Sequence, residues 1–267
     1  MKQSFYISFA KMKVKNGVET FALTMNFMGS EAQIYPTIIW DNDNLILVDT
    51  GNPRQLEGIR LALEKAGVPF ARLNKIIITH QDNDHIGSLP EILKASERKI
   101  EVLAHEADKE YIEGGKPWLK LEMIRKMLQS VPAEQRQAEE ALYNIPVQAG
   151  VDRTVSDGEV LPDCGGITVI HTPGHTPGHI CLYLNQSKTL IAGDALNIID
   201  GRLAGPIRPF ATDSNLADKS LDKLTQYDIE TVICYHGGVY QDNVRQRLSE
   251  IAGEREEKRR QRQTDRD

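Results

Sequence analysis

The sequence predicts an α/β fold in which several strands end at one edge of a sheet and carry polar side chains there. Short apolar runs of strand length directly precede groups of histidine and aspartate, and stretches with helical apolar spacing lie between these runs. Strand ends at one sheet edge can meet in space although they lie far apart in the chain. Together these observations indicate an α/β protein with a polar site at strand ends.

The richest polar group lies in residues 80–85, directly after the apolar run 75–79. It contains the candidate metal ligands His80, Asp82, Asp84 and His85. Imidazole nitrogen and carboxylate oxygen bind zinc and harder first-row ions. A solvated polar loop would explain any two of these residues, but it explains four of them poorly.

Three later strand-like runs also end in candidate ligands. They are residues 167–170 before His175, residues 189–193 before Asp194, and residues 231–235 before His236. The repetition favours one metal site assembled from several strand ends.

These blocks resemble the metallo-β-lactamase superfamily of hydrolases. The resemblance rests on residues 45–51, 79–87, 171–179, 193–194 and 235–237, which occur in the family's order. It implies a four-layer αβ/βα sandwich with a two-metal site at one edge of its paired sheets.

Carried over residue by residue, the resemblance implies seven metal ligands. One metal would be held by His80, Asp82 and His175, and the other by Asp84, His85 and His236, with Asp194 bridging them. Asp84 and Asp194 would also act in catalysis, and Asp49 would orient ligands by hydrogen bonding.

Asp82 departs from the family pattern, which has histidine there. A third carboxylate makes the site less positive and its metals weaker Lewis acids. The resemblance implies two divalent metal ions per chain, with zinc expected first, and the extra oxygen ligand makes manganese or iron more competitive.

The chain has 267 residues, a formal net charge of −6 and a pI of about 5.7. We expect one metallo-β-lactamase-like domain over residues 1–253, a helical insertion at 105–149 and a charged tail at 254–267. The acidic balance argues against nucleic-acid binding. Apolar runs are too short to span a bilayer, and residues 1–11 lack a signal-peptide pattern. A cytoplasmic protein with a small-molecule substrate, no nucleic-acid partner and no membrane partner is expected; a homodimer is left open.

Apolar spacing predicts most of the elements. Strands are expected at 4–10, 21–27, 34–40 and 45–49, and helices at 53–66, 87–95, 213–224 and 242–251. Cys181 and Cys234 lie in strand patterns and are expected to be reduced core residues.

The insertion at 105–149 contains an apolar helical face that includes Trp118 and Ile124, followed by a second helix at 134–143. It could cover the active site or merely pack on the scaffold. As a pocket wall, it would shape substrate choice and leave the metals alone.

Four further polar residues have structural interpretations. His171 and His179 are expected to support the site from outside the ligand set, and His105 to cap a helix. Asn197 stands where the family's acyl-homoserine lactonases typically have tyrosine, which weakens a lactonase assignment.

The leading hypothesis is a hydrolase in which a metal-bound hydroxide attacks a small ester, lactone or thioester. One alternative is a redox diiron domain like those of flavodiiron oxygen reductases, which have glutamate at the position of Asp82 and a following flavodoxin module, for which this sequence has no room. Another is a phosphodiesterase or nuclease of the same superfamily, which the acidic balance disfavours.

Overall fold

A computed structural model describes residues 17–264, with side chains described through residue 254. The strands are β1 Gly17–Thr20, β2 Leu23–Phe27, β3 Ser30–Ile34, β4 Thr37–Trp40, β5 Leu45–Val48, β6 Lys75–Ile77, β7 Glu101–His105, β8 Arg153–Val155, β9 Val160–Leu161, β10 Ile167–His171, β11 Ile180–Leu184, β12 Thr189–Ile191, β13 Asn197–Ile199, β14 Arg202–Ala204, β15 Thr231–Cys234 and β16 Gly238–Tyr240. The α-helices are α1 Leu56–Lys65, α2 Asn83–Ile86, α3 Leu89–Ala95, α4 Glu106–Ile112, α5 Leu121–Leu128, α6 Ala133–Tyr143, α7 Ser214–Ser220 and α8 Val244–Thr264.

Two mixed sheets form the centre of the molecule. One has the order β1-β4-β5-β6-β7-β8, and the other has the order β16-β15-β12-β11-β10-β9. Strands β5 to β8 run parallel to one another, as do β12 and β15. Parallel neighbours bring their carboxyl ends to the same edge, which places the residues that follow β6, β12 and β15 in position to form one site.

Strand β5 shows how the layers are built. Ile46 and Val48 pack between the two sheets against residues of β10, β11, β12 and β15, whereas Leu45 and Leu47 pack on the opposite face among the buried residues of α1 and α3. Alternate side chains of a strand point to opposite faces, so a strand covered on both sides is apolar throughout. The outer face of the second sheet is covered in the same way by α8 and by Leu221 and Leu224, which directly follow α7. The predicted four-layer αβ/βα sandwich is confirmed.

Several predicted elements differ from the structure. The run 34–40 forms two strands because Pro36, which has no N–H to donate, separates β3 from β4. Leu61 lies in the helix predicted at 53–66 but is 56% exposed, so it does not pack on the core side of α1. The predicted strand at 4–10 lies outside the described residues. Among residues 17–264, no helix is long and apolar enough to cross a membrane.

The insertion packs on the β2–β3 hairpin. Ile124 and Leu128 of α5 form a separate apolar cluster with Phe27 and Met28 of the hairpin. Glu139 of α6 accepts hydrogen bonds from the backbone N–H groups of Met28, at 2.9 Å, and Gly29. The apolar face of α5 therefore packs against the scaffold, and the turn before α5 reaches the predicted site.

Candidate metal centre

Asp49 anchors the loop that carries the first ligands. It follows β5, and its Oδ1 accepts a hydrogen bond from the Thr79 N–H at 2.8 Å. Its Oδ2 accepts from the Thr79 hydroxyl and lies 2.8 Å from His85 Nδ1. A carboxylate on Nδ1 fixes the ring and leaves Nε2 available to a metal.

The structure brings all seven sequence-predicted ligands together in two groups. Within each group, the candidate ligand atoms lie within 4.8 Å of one another: His80, Asp82, His175 and Asp194 form one group, and Asp84, His85 and His236 form the other. This division matches the one that the family resemblance implies.

Asp194 lies between the two groups. Its Oδ2 is 3.1 Å from His175 Nε2, and its Oδ1 is 3.3 Å from His85 Nε2 and 3.4 Å from His236 Nε2. The two oxygens of one carboxylate thus face different ligand groups, which is the arrangement that a bridging ligand requires.

Several buried atoms of the site have no hydrogen-bond partner among the described residues. They are His80 Nε2, His85 Nε2 and Asp194 Oδ1. Buried polar atoms are normally paired, so unpaired atoms of this kind in both ligand groups indicate that the site binds a ligand. The donor set of imidazoles and carboxylates fits divalent first-row metals.

The carboxylates make the site attractive to cations. Burial lowers the pKa of His236, but the neighbouring carboxylates of Asp194 and Asp84 raise it to about 10. Burial and the nearby His85 ring lower the pKa of His80 to about 4, so this imidazole is neutral and able to ligate.

Asp82 is held by residues of the insertion. Its Oδ1 accepts hydrogen bonds from Gln81 Nε2 at 2.8 Å and from Trp118 Nε1 at 3.0 Å. Its Oδ2 forms a short ion pair with the Lys120 ammonium. Burial alone would raise the pKa of Asp82, but Lys120 and His80 lower it well below its usual value. Residues 105–149 were expected to leave the metals alone, but the turn before α5 contacts Asp82, which is one of the predicted ligands.

Asp108 of α4 ties two ligand loops together. Its Oδ2 accepts hydrogen bonds from the Gln81 N–H at 3.0 Å and the Thr176 hydroxyl at 2.6 Å, and its Oδ1 accepts from the Gly178 N–H at 2.7 Å. Burial raises its pKa to about 6, although the three donors oppose that change. Asp108 thus fixes the loop of His80 relative to that of His175.

The remaining histidines support the site. His179 is fully buried, and its Nε2 accepts a hydrogen bond from the backbone N–H of Asp194 at 3.0 Å. His171 stacks on His105 with ring centroids 3.8 Å apart, and His105 Nδ1 caps α4 by accepting from the Ala107 N–H. The prediction that His105 caps a helix is confirmed. Asn197, the other polar residue considered in the sequence, is buried at the start of β13.

Comparison with known proteins decides the family. The family model for the metallo-beta-lactamase superfamily matches residues 30–236. The chain belongs to the metallo-β-lactamase superfamily. The probable metallo-hydrolase YflN of Bacillus subtilis strain 168 is 30% identical over 229 residues, which cover 78% of this chain and 81% of YflN.

Other superfamily members are similar in structure or over part of the chain. A metallo-beta-lactamase family protein of Thermus thermophilus, TTHA1429, has a TM-score of 0.64 and 25% identity, covering 90% of this chain and 79% of its own. A hydroxyacylglutathione hydrolase of Rhizobium meliloti strain 1021 is 38% identical over 93 residues, about a third of each chain (34%). As a superfamily member related to metallo-hydrolases, this chain is a metallo-hydrolase with a candidate metal site at His80, Asp82, His175 and Asp194.

Proposed function

We propose that this protein hydrolyses a small ester, lactone or thioester at a dinuclear metal centre. The observation that carries the proposal is the position of Asp194, whose two oxygens face both ligand groups. His80, Asp82 and His175 would hold one ion, Asp84, His85 and His236 the other, with Asp194 shared. When bound, the ions supply Lewis acidity and lower the pKa of water. Zinc is the expected metal, with manganese or iron favoured by the oxygen of Asp82.

Asp84 is placed to move a proton. Its carboxylate is partly exposed, whereas those of Asp82 and Asp194 are buried. Burial would raise its pKa, but His85 and His236 lower it, so the group is ionised and can accept a proton on the oxygen that does not bind the ion. The Tyr235 hydroxyl donates to the Asp84 backbone carbonyl and fixes this residue beside the ligands.

Two aromatic residues of the insertion favour an organic acyl substrate. Trp118 contacts the ligand Asp82 through its N–H and stacks on Tyr143, with ring centroids 5.5 Å apart. Aromatic side chains beside polar groups are typical of small-molecule pockets. The three carboxylates and the net charge of −6 disfavour a polyanionic nucleic acid. The similarity to a hydroxyacylglutathione hydrolase supports an acyl-transfer chemistry.

The direct test combines metal quantification with a substrate panel. Protein stripped by a chelator and reloaded with zinc, manganese or iron would be assayed on esters, lactones, thioesters and phosphodiesters. We expect metal-dependent hydrolysis of at least one carbonyl substrate and a large loss of activity in Asp84→Asn. Activity that survives the removal of metal, or faster turnover of phosphodiesters, would contradict the proposal.

Trp118→Ala should change the preference for acyl chain length. A wall that desolvates the acyl group contributes about 0.8 kcal/mol per buried methylene, or roughly fourfold in kcat/KM. We expect kcat/KM to rise less steeply with acyl chain length in Trp118→Ala than in the wild type, as measured across a homologous series of substrates. Trp118→Phe is the matched control, because it keeps an aromatic wall and removes the hydrogen bond to Asp82. Equal slopes in the wild type and Trp118→Ala would show that the residue only supports the fold.

A further inference from the structure

Lys120 brings a positive charge into the candidate metal centre. It directly precedes α5, and its side chain is only 5% exposed. Its ammonium nitrogen contacts Asp82 Oδ2 and lies 2.6 Å from His175 Nε2. A buried ammonium group is costly unless it is paired, so these contacts determine where it lies.

The hydrogen bonds of Asp82 leave one oxygen for a cation. Oδ1 already accepts from Gln81 and Trp118. Oδ2 lies 3.0 Å from His175 Nε2 and 3.2 Å from His80 Nε2, so it is the oxygen directed toward the other ligand atoms. Lys120 and a metal ion in this group would therefore use the same oxygen.

The ammonium group and a metal ion cannot share these atoms. Metal–ligand distances for nitrogen and oxygen are about 2.0–2.2 Å, so an ion bound to Asp82 Oδ2 and His175 Nε2 would fall beside the ammonium nitrogen. The lone pair of His175 Nε2 can accept only one of them, and the two cations repel each other.

The second ligand group lacks such a competitor. Among residues 17–254, the ion pairs of Asp84 and Asp194 are formed with histidines. A metal ion can bind Asp84, His85 and His236 without displacing a lysine.

We propose that Lys120 competes with one metal ion for Asp82 and His175, so that the two metal positions fill unequally. The position at Asp84, His85 and His236 fills first. The position at His80, Asp82 and His175 fills only when Lys120 withdraws. The inference rests on the dinuclear site of the proposed function and adds that the insertion regulates its loading.

Metal titration of chelator-treated protein tests this competition. Zinc binding would be followed by calorimetry in the wild type, Lys120→Met and Lys120→Gln. We expect a tight and a weak class in the wild type, and at least about tenfold tightening of the weak class in both variants, because a site blocked part of the time binds in proportion to its open fraction. The tight class should change by less than about twofold.

Lys126→Met is the matched control, because Lys126 is an exposed residue of α5. It should leave both classes unchanged. Circular dichroism and thermal melting would establish that each variant is folded.

A site-resolved measurement on the wild type tests the order of filling without any variant. Anomalous diffraction from crystals with one equivalent of zinc should show the ion at Asp84, His85 and His236. Equal zinc occupancy of both positions would contradict the competition by Lys120. Folded Lys120 variants whose weaker zinc-binding class is unchanged would contradict it as well. Neither result would contradict the proposed dinuclear hydrolase. Absence of any zinc at these residues would instead overturn the proposed function.

Discussion

Asp194→Ala should lower kcat/KM by more than about 100-fold, because groups that only support metal ligands typically cost 10- to 100-fold. Its two oxygens face both ligand groups, so its removal weakens both metal positions at once. In the same variant, the metal content should be below the two ions per chain expected for the wild type. Steady-state kinetics and elemental analysis of the purified protein would measure the two effects.

His179→Ala and His171→Ala are the controls for Asp194. His179 accepts a hydrogen bond from the Asp194 backbone N–H and contacts the Thr172 hydroxyl through Nδ1, and His171 stacks on His105. We expect an intermediate loss of activity for His179→Ala and a small one for His171→Ala. Equal losses in Asp194→Ala and His179→Ala would mean that Asp194 is not a bridging ligand.

Asp108→Ala should lower the free energy of unfolding by about 3 kcal/mol, since each unpaired buried donor costs about 1–3 kcal/mol. The variant leaves three donors of the ligand loops, from Gln81, Thr176 and Gly178, without their acceptor. Urea unfolding of chelator-treated protein would measure the change free of any contribution from bound metal.

Asp242→Ala serves as the control, because Asp242 is exposed. Its free energy of unfolding should stay within about 0.5 kcal/mol of the wild type. A loss in Asp108→Ala no larger than in Asp242→Ala would show that water replaces the carboxylate and that Asp108 does not hold the loops together.

Local sequence pattern identified the candidate ligands, whereas the family resemblance divided them into two groups. A buried strand ends, a polar residue follows, and parallel pairing brings such ends together, as β5, β6, β12 and β15 show. Asp49 was identified through the family resemblance, and the structure places it directly after β5.

Lys120 and Asp108 could not be identified from local pattern. Lys120 lies 38 residues from Asp82, and Asp108 lies 70 residues from Gly178, so their contacts depend on how the insertion folds back. Lys120 is a polar residue at the start of an amphipathic helix, where solvent exposure is the usual outcome. For Asp108, the one available signal was its position just after β7, whose end lies at the same sheet edge.

The charged tail shows a limit of predicting helix ends from apolar periodicity. The last helix was predicted at 242–251, where apolar residues stop, with the charged residues from 254 onward forming either a frayed helix or a disordered tail. In the structure, α8 continues through Thr264. Glutamate, arginine and lysine are good helix formers, and Arg247 pairs with Glu250 and Glu254 along the helix. A helix can therefore extend beyond its packed face, which apolar periodicity does not detect.

The most direct test of a dinuclear centre is a crystal structure of metal-replete protein with anomalous diffraction. Two ions are expected, with nitrogen and oxygen ligands at about 2.0–2.5 Å. The predicted ligands are His80, Asp82, Asp84, His85, His175, Asp194 and His236, with Asp194 touching both ions. A structure in which fewer than about five of these residues touch a metal would contradict the assignment, since a structural zinc site alone takes four ligands.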